Sequence, residues 1–378
     1  PSDGLDGIQQ AARLINQAQR PLILAGHGVI LSGAHAELRE LAEKAQIPVA
    51  TTLLGISSIP ESHPLCLGMA GMHGQAFVNK AIQASDLIIA IGMRFDDRVT
   101  GSLATFAPHA KIVHIDIDPA EIGKNVAVDV PLVGDVKPIL QGLNPLVEPT
   151  QHPDWLAQIA EWREDSTQDD PLREDFDRLL PQYVVREIWR ATKGDALVVS
   201  DVGQNQMWEA QYFIHDKPAS LITSGGLGTM GFALPAAIGA KIGRPEETVW
   251  VVAGDGGFQM TIHELATVVQ EGLPLKIAIL NNGYLGMVRQ WQQLFFECNY
   301  CATPLLGPDF AKVAQAYGIA GFTVKEKGQV TPTIQQALKI QGPVVIDFHV
   351  EREECVYPMV APGGSISDII RRPRSLQG

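Results

Sequence analysis

Two short stretches concentrate residue types able to hold a charged ligand. Gly254-Asp255-Gly256-Gly257 follows an apolar run that reads as a strand and opens a helix expected to begin near Phe258; about 25 residues on, a second apolar run ends in Asn281-Asn282-Gly283. A carboxylate and an amide oxygen at the tips of two parallel strands can share one hard cation, and Mg²⁺ takes oxygen ligands while bridging phosphate oxygens. Asp255 and Asn282 are the candidate pair. The glycines Gly254, Gly256 and Gly257 leave backbone N–H groups free to approach an anion, and the helix start adds its positive end. Taken singly, GDGG is also a tight strand-to-helix turn and NNG a turn with positive φ. Their combination after two strands is what points to a diphosphate-Mg²⁺ pocket built without lysine.

Other strand ends carry similar residues. SDVGQNQ, AGDGGF and LNNGYLG each follow an apolar run, and in open α/β sheets ligands sit beyond the carboxyl ends of strands. Gly26 and Gly28, in a GHG after a strand, suit close backbone approach to a nucleotide, although the spacing is not GxGxxG. In RFDDRVTG (94–101) two arginines interleave with two acids, which alone is a self-neutralising surface network. His73 alone reads as a satisfied turn histidine and Met230 as a core methionine. Cys298 and Cys301 form a CxxC with no second CxxC or histidine pair nearby, and they follow a helix rather than opening one. Neither a redox nor a metal role is expected of them.

Those positions need alternating strands and helices to hold them. Ile8, Ala11, Ala12 and Ile15 share one helical face, and continuous apolar runs at Pro21–Gly26, Pro48–Thr52, Asp86–Gly92 and Lys111–Asp116 read as strands of a parallel sheet covered on both faces. A second series has strands at Ala196–Ser200, Thr248–Ala253, Leu275–Leu280 and Val344–Val350, with helices such as Phe232–Ile242 and Ile262–Gln270. Between the two, a proline-rich stretch precedes eight acids and three arginines in Glu161–Arg178, expected to be a linker with a solvated helix. The expected fold class is α/β, with two doubly wound parallel-sheet domains at 1–148 and 183–378 and a linker at 149–182.

With 378 residues the chain is too long for one small module at ~150 residues per domain. Lys+Arg 29 against Asp+Glu 42 gives a net charge of −13, a field that repels phosphate backbones and anionic lipid, so nucleic acid is not an expected partner. Apolar runs such as Asp86–Met93 fall far short of the ~20 residues needed to span a bilayer, so no membrane association is expected. Four cysteines and a start, PSDGLDG, without a basic then apolar leader lead to the expectation of a reducing, cytoplasmic setting.

The GDG and NN pair resembles the thiamine diphosphate signature of the decarboxylase and carboligase superfamily. GMHG (71–74), RFDDRVTG (94–101), HIDIDPAEI (114–122), DVGQNQMW (201–208), GLGTMGFALPAAIGA (226–240) and GYLGMVRQWQ (283–292) make the chain most similar to the catalytic subunits of the acetohydroxyacid (acetolactate) synthase family. That resemblance implies a transferase and flavoprotein of branched-chain amino acid biosynthesis, using thiamine diphosphate, Mg²⁺ and FAD. Pyruvate would be decarboxylated and its hydroxyethyl unit condensed with a second pyruvate or with 2-oxobutyrate.

By the same resemblance, Asp255, Asn282 and the Tyr284 carbonyl hold Mg²⁺, Gln204 and Asn205 touch the diphosphate, and Gly228 and Met230 meet the aminopyrimidine, Met230 enforcing the bent cofactor that activates itself. Arg98 takes the carboxylate of the second 2-oxo acid, a bidentate task suited to a guanidinium. Met287 and Trp291, four apart on one helix face, with Val288 nearby, form the wall that grips the extra methyl. The first domain is implied to bind a structural FAD, with Gly26, Gly28, Thr52 and Leu53 on one side. Met72, His73, Gly92, Arg94 and Asp96 follow, then Asp116, Ile117, Asp135 and Val136.

The family also implies a homodimer or tetramer, a regulatory small subunit, and an additional N-terminal domain supplying a glutamate to the aminopyrimidine. Glu264 is not that acid, so the domain is expected in cis or in trans. Another thiamine diphosphate carboligase or oxidase, or an inactive cofactor-binding fragment, are the alternatives.

Overall fold

A computed structural model of the chain describes residues 4–167, 169–173 and 177–373. Its contacts divide it into two units, one running to Pro171 and resuming at Tyr357, the other spanning Leu172–Val356. Both are α/β with a six-stranded parallel sheet, the expected class.

The first sheet contains β1 (Pro21–Ala25), β2 (Val49–Thr51), β3 (Cys66–Met69), β4 (Leu87–Ile91), β5 (Lys111–Asp116) and β6 (Val130–Val133). Their order is β3-β2-β1-β4-β5-β6, which reverses direction between β1 and β4. Because side chains alternate along a strand, Ile23, Ala25, Ile89 and Ile91 enter one core, under the helices Gly4–Gln17, His35–Ala45 and Val136–Leu143. Leu22, Leu24, Ile88 and Ala90 enter another on the opposite face, under the helix Ala76–Ala84. Two buried faces are why these strands read as unbroken apolar runs.

The second sheet contains β7 (Leu197–Ser200), β8 (Leu221–Thr223), β9 (Val249–Gly254), β10 (Lys276–Asn281), β11 (Ala320–Val324) and β12 (Val344–His349). The order β11-β12-β10-β9-β7-β8 places the reversal between β7 and β9. Its core gathers Val199, Val251, Ala253, Ile277, Ile279 and Val345 with Ala237 of the helix Ala233–Gly243.

The expected domain limits need correction at both ends of the second unit. Within 149–182, the helix Pro153–Thr167 is no solvated linker: Trp155 and Ile159, four apart, are buried in the first unit's core. The Trp155 indole N–H donates to the Pro21 carbonyl at 3.0 Å, and the Arg163 guanidinium lies 4.9 Å above the Phe77 ring while donating to the Cys66 carbonyl. The density of acids hid one apolar stripe; Glu174 and Asp175 of that cluster lie outside the described residues, as do Pro1–Asp3 of the start. At the other end, Met359–Val360 (β13) and Ile369–Ile370 (β14) form an antiparallel pair, Ile366 enters the first unit's core, and the Val360 N–H bonds the Met72 carbonyl. The stretch from 357 therefore belongs to the first unit, not to 183–378.

Cys66 and Cys355 are buried and Cys298 and Cys301 exposed, and none of the four forms a disulfide among the described residues. Among the described residues no helix is long and apolar enough to cross a membrane.

Candidate functional site

In the second unit the carboxyl ends of β7, β9 and β10 converge on one narrow cleft of about 60 Å³. β9 and β10 pair in register with Gly254 opposite Leu280, so the segments that leave them, Asp255–Gly257 and Asn282–Tyr284, are neighbours. The helix after β9 starts at Asp255 rather than near Phe258 and runs only to Met260. Of the residues expected to act together, Gln204, Asn205, Met230, Gly254, Asp255, Gly256, Gly257, Asn282, Tyr284, Met287 and Val288 all line the cleft. Gly228 is not among its walls; it takes φ +62°, and a Cβ there would meet only Val202, at 3.9 Å.

Asp255 is 2% exposed, and burial pushes its carboxyl up to about 6, with the nearby charge of Asp347 adding to the rise. Backbone hydrogen bonds from its own turn, Gly256 and Gly283 oppose that rise without cancelling it. A buried acid with backbone donors as its main support is electrostatically suited to a cation. Asn282 is held as an oxygen donor: its Nδ2 gives a hydrogen bond to Gln204 Oε1 at 3.1 Å, and its Oδ1 accepts the Tyr284 N–H at 3.0 Å, leaving a second lone pair. Behind it, Asn281 donates to Asp347 Oδ1 at 3.0 Å and accepts the Gly283 N–H at 3.2 Å, which sets the turn. The donor set of carboxylate, amide oxygen and peptide carbonyl fits Mg²⁺. Among the described residues no group of three or more His, Cys, Asp or Glu offers a rival metal site.

The side chains of Gln204 and Asn205 are already engaged. Gln204 Nε2 donates to Gln290 Oε1 at 2.9 Å and to the Glu354 carbonyl at 3.1 Å, while Asn205 Nδ2 donates to the carbonyls of Asp201 and Val252, stapling β7 to β9. Asn205 thus turns an acceptor, Oδ1, toward Gly254, and the amide N–H groups of both side chains are spent on protein oxygens.

Asp201, given no role from sequence, is the hidden organiser of that turn. Its carboxylate accepts the N–H groups of Val202, Gly231 and Ala233 at 2.8–3.0 Å, fixing the segment that carries Met230. A Cβ on Gly257 would lie 2.4 Å from Asp201 Oδ1, so glycine is required there, and Met230 Cε reaches 3.6 Å from the Cβ position of Gly256. The legible signal was an Asp directly following a buried strand.

Met287 and Val288 also border a wider, open hollow of about 710 Å³ shared with Trp291, Phe295 and Phe296. All but Phe296 lie on the helix Gly286–Phe295, and the Trp291 and Phe295 rings meet edge to face at 5.9 Å.

The residues expected to meet FAD lie in the first unit, after the carboxyl end of each of its six strands. Gly26 and Gly28 follow β1 and pack directly on Gly92 after β4: the Gly28 N–H bonds the Gly92 carbonyl at 3.0 Å, and a Cβ on Gly28 would fall 2.6 Å from Gly92 Cα. Their missing side chains serve backbone packing at the sheet's reversal point. Thr52, Asp96 and Asp135 cap the turns that begin there, accepting the N–H groups of Gly55, Val99 and Lys137, and Leu53 and Val136 open those turns. Asp116 accepts the Asp118 N–H, Ile117 is 69% exposed, and Arg94 pairs with Asp96 at 3.1 Å. Met72 and His73 are buried after β3, and burial, helped by the charge of Arg98, pushes the His73 imidazole down to about 4. An edge of this kind, ringed by capped turns and glycines, fits a nucleotide cofactor. Arg98 belongs to this unit, where it pairs with Asp97 at 2.9 Å on the surface.

Two sequence patterns account for most of the chain. Residues 8–143 match the thiamine pyrophosphate enzyme central domain, and residues 201–348 match the thiamine pyrophosphate enzyme C-terminal TPP binding domain. The chain belongs to the thiamine pyrophosphate enzymes. Within them it is 48% identical to the acetolactate synthase large subunit of Corynebacterium glutamicum over 96% of this chain and 59% of that protein. It is 45% identical to an acetolactate synthase of Arthrospira platensis (96% and 64%) and 44% identical to a probable acetolactate synthase large subunit of Methanocaldococcus jannaschii (96% and 63%). The chain thus spans about 60% of the length of the curated relatives it matches.

Proposed function

We propose that this chain carries the diphosphate-binding and acceptor-binding parts of an acetolactate synthase, condensing a hydroxyethyl unit from pyruvate with a second pyruvate or with 2-oxobutyrate. The observation that carries the reading is the meeting of Asp255, Asn282 and Tyr284 in one cleft with Met230, Met287 and Val288. Its support is the similarity to acetolactate synthases over 96% of the chain.

When bound, thiamine diphosphate supplies an acidic ring carbon that adds to 2-oxo acids and allows loss of CO₂. The protein's part is holding and excluding. Asp255, Asn282 and the Tyr284 carbonyl would hold Mg²⁺ against the diphosphate, with glycine N–H groups taking further charge. Met230 would support the cofactor's bend, and Gly228 would leave room for the aminopyrimidine. Met287, Val288 and Trp291 would wall the acceptor's alkyl group; one methylene there is worth about 1–3 kcal/mol, a preference between acceptors rather than exclusion. Arg98 would bind the acceptor carboxylate. FAD would lie along the first sheet's carboxyl edge as a structural group. A homo-oligomer in the cytoplasm, with a further N-terminal domain and a regulatory small subunit, completes the reading.

The test is calorimetric titration of thiamine diphosphate with and without Mg²⁺, followed by a product assay on pyruvate plus 2-oxobutyrate with the amino-terminal part of a relative added. Mg²⁺-dependent binding in the wild type, abolished in Asp255→Asn with the urea midpoint not lowered, is expected. Equal binding by the two proteins would overturn the assignment.

A further inference from the structure

An alternating stack of cations and rings borders the cleft, outside the roles given above. The guanidinium of Arg352 lies 4.6 Å from the centre of the Tyr284 ring; that of Arg289 lies 5.0 Å from the same ring and 4.6 Å from the Tyr300 ring. The series Arg352, Tyr284, Arg289, Tyr300 joins the segment after β12, the turn after β10, the helix Gly286–Phe295 and the turn that follows it. Arg352 adds a second grip, its Nε donating to the Asn282 carbonyl at 3.3 Å.

Arg289 is only 6% exposed, and removing a guanidinium from water is costly unless its donors are met. It donates to Gln293 Oε1 and to Glu353 Oε1, both at 2.9 Å, but the Glu353 carboxylate is itself largely in solvent. The two tyrosine faces therefore provide much of what stabilises this cation. What they grip is the turn in which Gly283 takes φ +70°, held otherwise by the Asn281 and Asn282 side chains and by backbone bonds to Thr303 and Leu305.

We propose that Arg352 and Arg289 are positioning residues for the cation-binding turn, clamping Tyr284 so that its carbonyl and the Asn282 side chain are held ready before the metal arrives. The inference rests on the reading of the cleft as a thiamine diphosphate-Mg²⁺ site. It explains why two arginines stand beside a turn meant for a cation: they act on its backbone through a ring, not on the ion.

The test uses Mn²⁺ as the probe, titrated into the chain with saturating thiamine diphosphate while free Mn²⁺ is read by electron paramagnetic resonance. Arg352→Gln is expected to weaken Mn²⁺ binding about tenfold and Tyr284→Leu, which removes the ring from both arginines, at least as much, while the double variant falls short of the sum of the two losses because the Arg352–Tyr284 contact is common to both. Arg352→Lys, which keeps a cation over the ring, should bind within about threefold of wild type, and the urea midpoints should not move. Arg352→Gln binding as tightly as wild type, or losses that add in the double variant, would overturn the inference while leaving the cleft's assignment intact. A wild type that binds no Mn²⁺ in the presence of thiamine diphosphate would instead remove the assignment, and the inference with it.

Discussion

His73 shows how much one side chain's surroundings decide. Its imidazole, ordinarily near 6.5, is held down to about 4 because the charged form would be buried and close to Arg98. Between those values the unfolded chain binds a proton that the folded chain does not, so stability is full above pH 6.5 and is lost as pH falls through about 4, by about 3 kcal/mol in all. Urea midpoints measured from pH 4 to 7 should fall toward acid in the wild type and flatten in His73→Gln. At this scale the sequence was informative where chemistry is local: Asp255 and Asn282 stood out because a carboxylate and an amide each closed an apolar run. Asp201 and Arg352 did not, because their importance comes from partners far along the chain, Gly231 and Ala233 for one and Tyr284 for the other.

Elements carry those side chains, and one is anchored unusually. The helix Gln204–Tyr212, which begins with Gln204 and Asn205, holds Glu209 fully buried, its Oε1 2.8 Å from His215 Nε2, while His215 Nδ1 lies 2.8 Å from Ser220 Oγ just before β8. Glu209→Leu would leave the histidine buried without its acid, and chemical denaturation should report a loss of about 3–5 kcal/mol together with weaker thiamine diphosphate binding. Glu209→Gln keeps an oxygen in reach and should lose less than about 1.5 kcal/mol. The strands were legible in proportion to their burial. All eight that were anticipated lie inside the two six-stranded sheets, whereas the four of those sheets that were not, β3, β6, β8 and β11, are their four edges, and the short pair β13 and β14 was not foreseen either. β6 alternates buried and exposed residues around Pro131, β8 has three residues, and β11 is only partly buried, so none offers an unbroken apolar run.

For the whole molecule, each unit has its own sheet and its own core. Scanning calorimetry should therefore resolve ligand-specific stabilisation: thiamine diphosphate with Mg²⁺ should raise the transition of the second unit, and FAD that of the first, since a ligand stabilises only the structure that binds it. A single transition moved equally by both would contradict this. The two-sheet architecture was readable from the chain, but the boundaries were not, because Trp155, Ile159 and Ile366 are isolated apolar residues in polar surroundings whose destination only the folded core reveals. The return of the chain after Val356 makes the first unit a host and the second a guest threaded into its sequence. On the ribosome the guest emerges whole while its host still lacks β13, β14 and Ile366, so the first unit, begun before the second, completes its core after it.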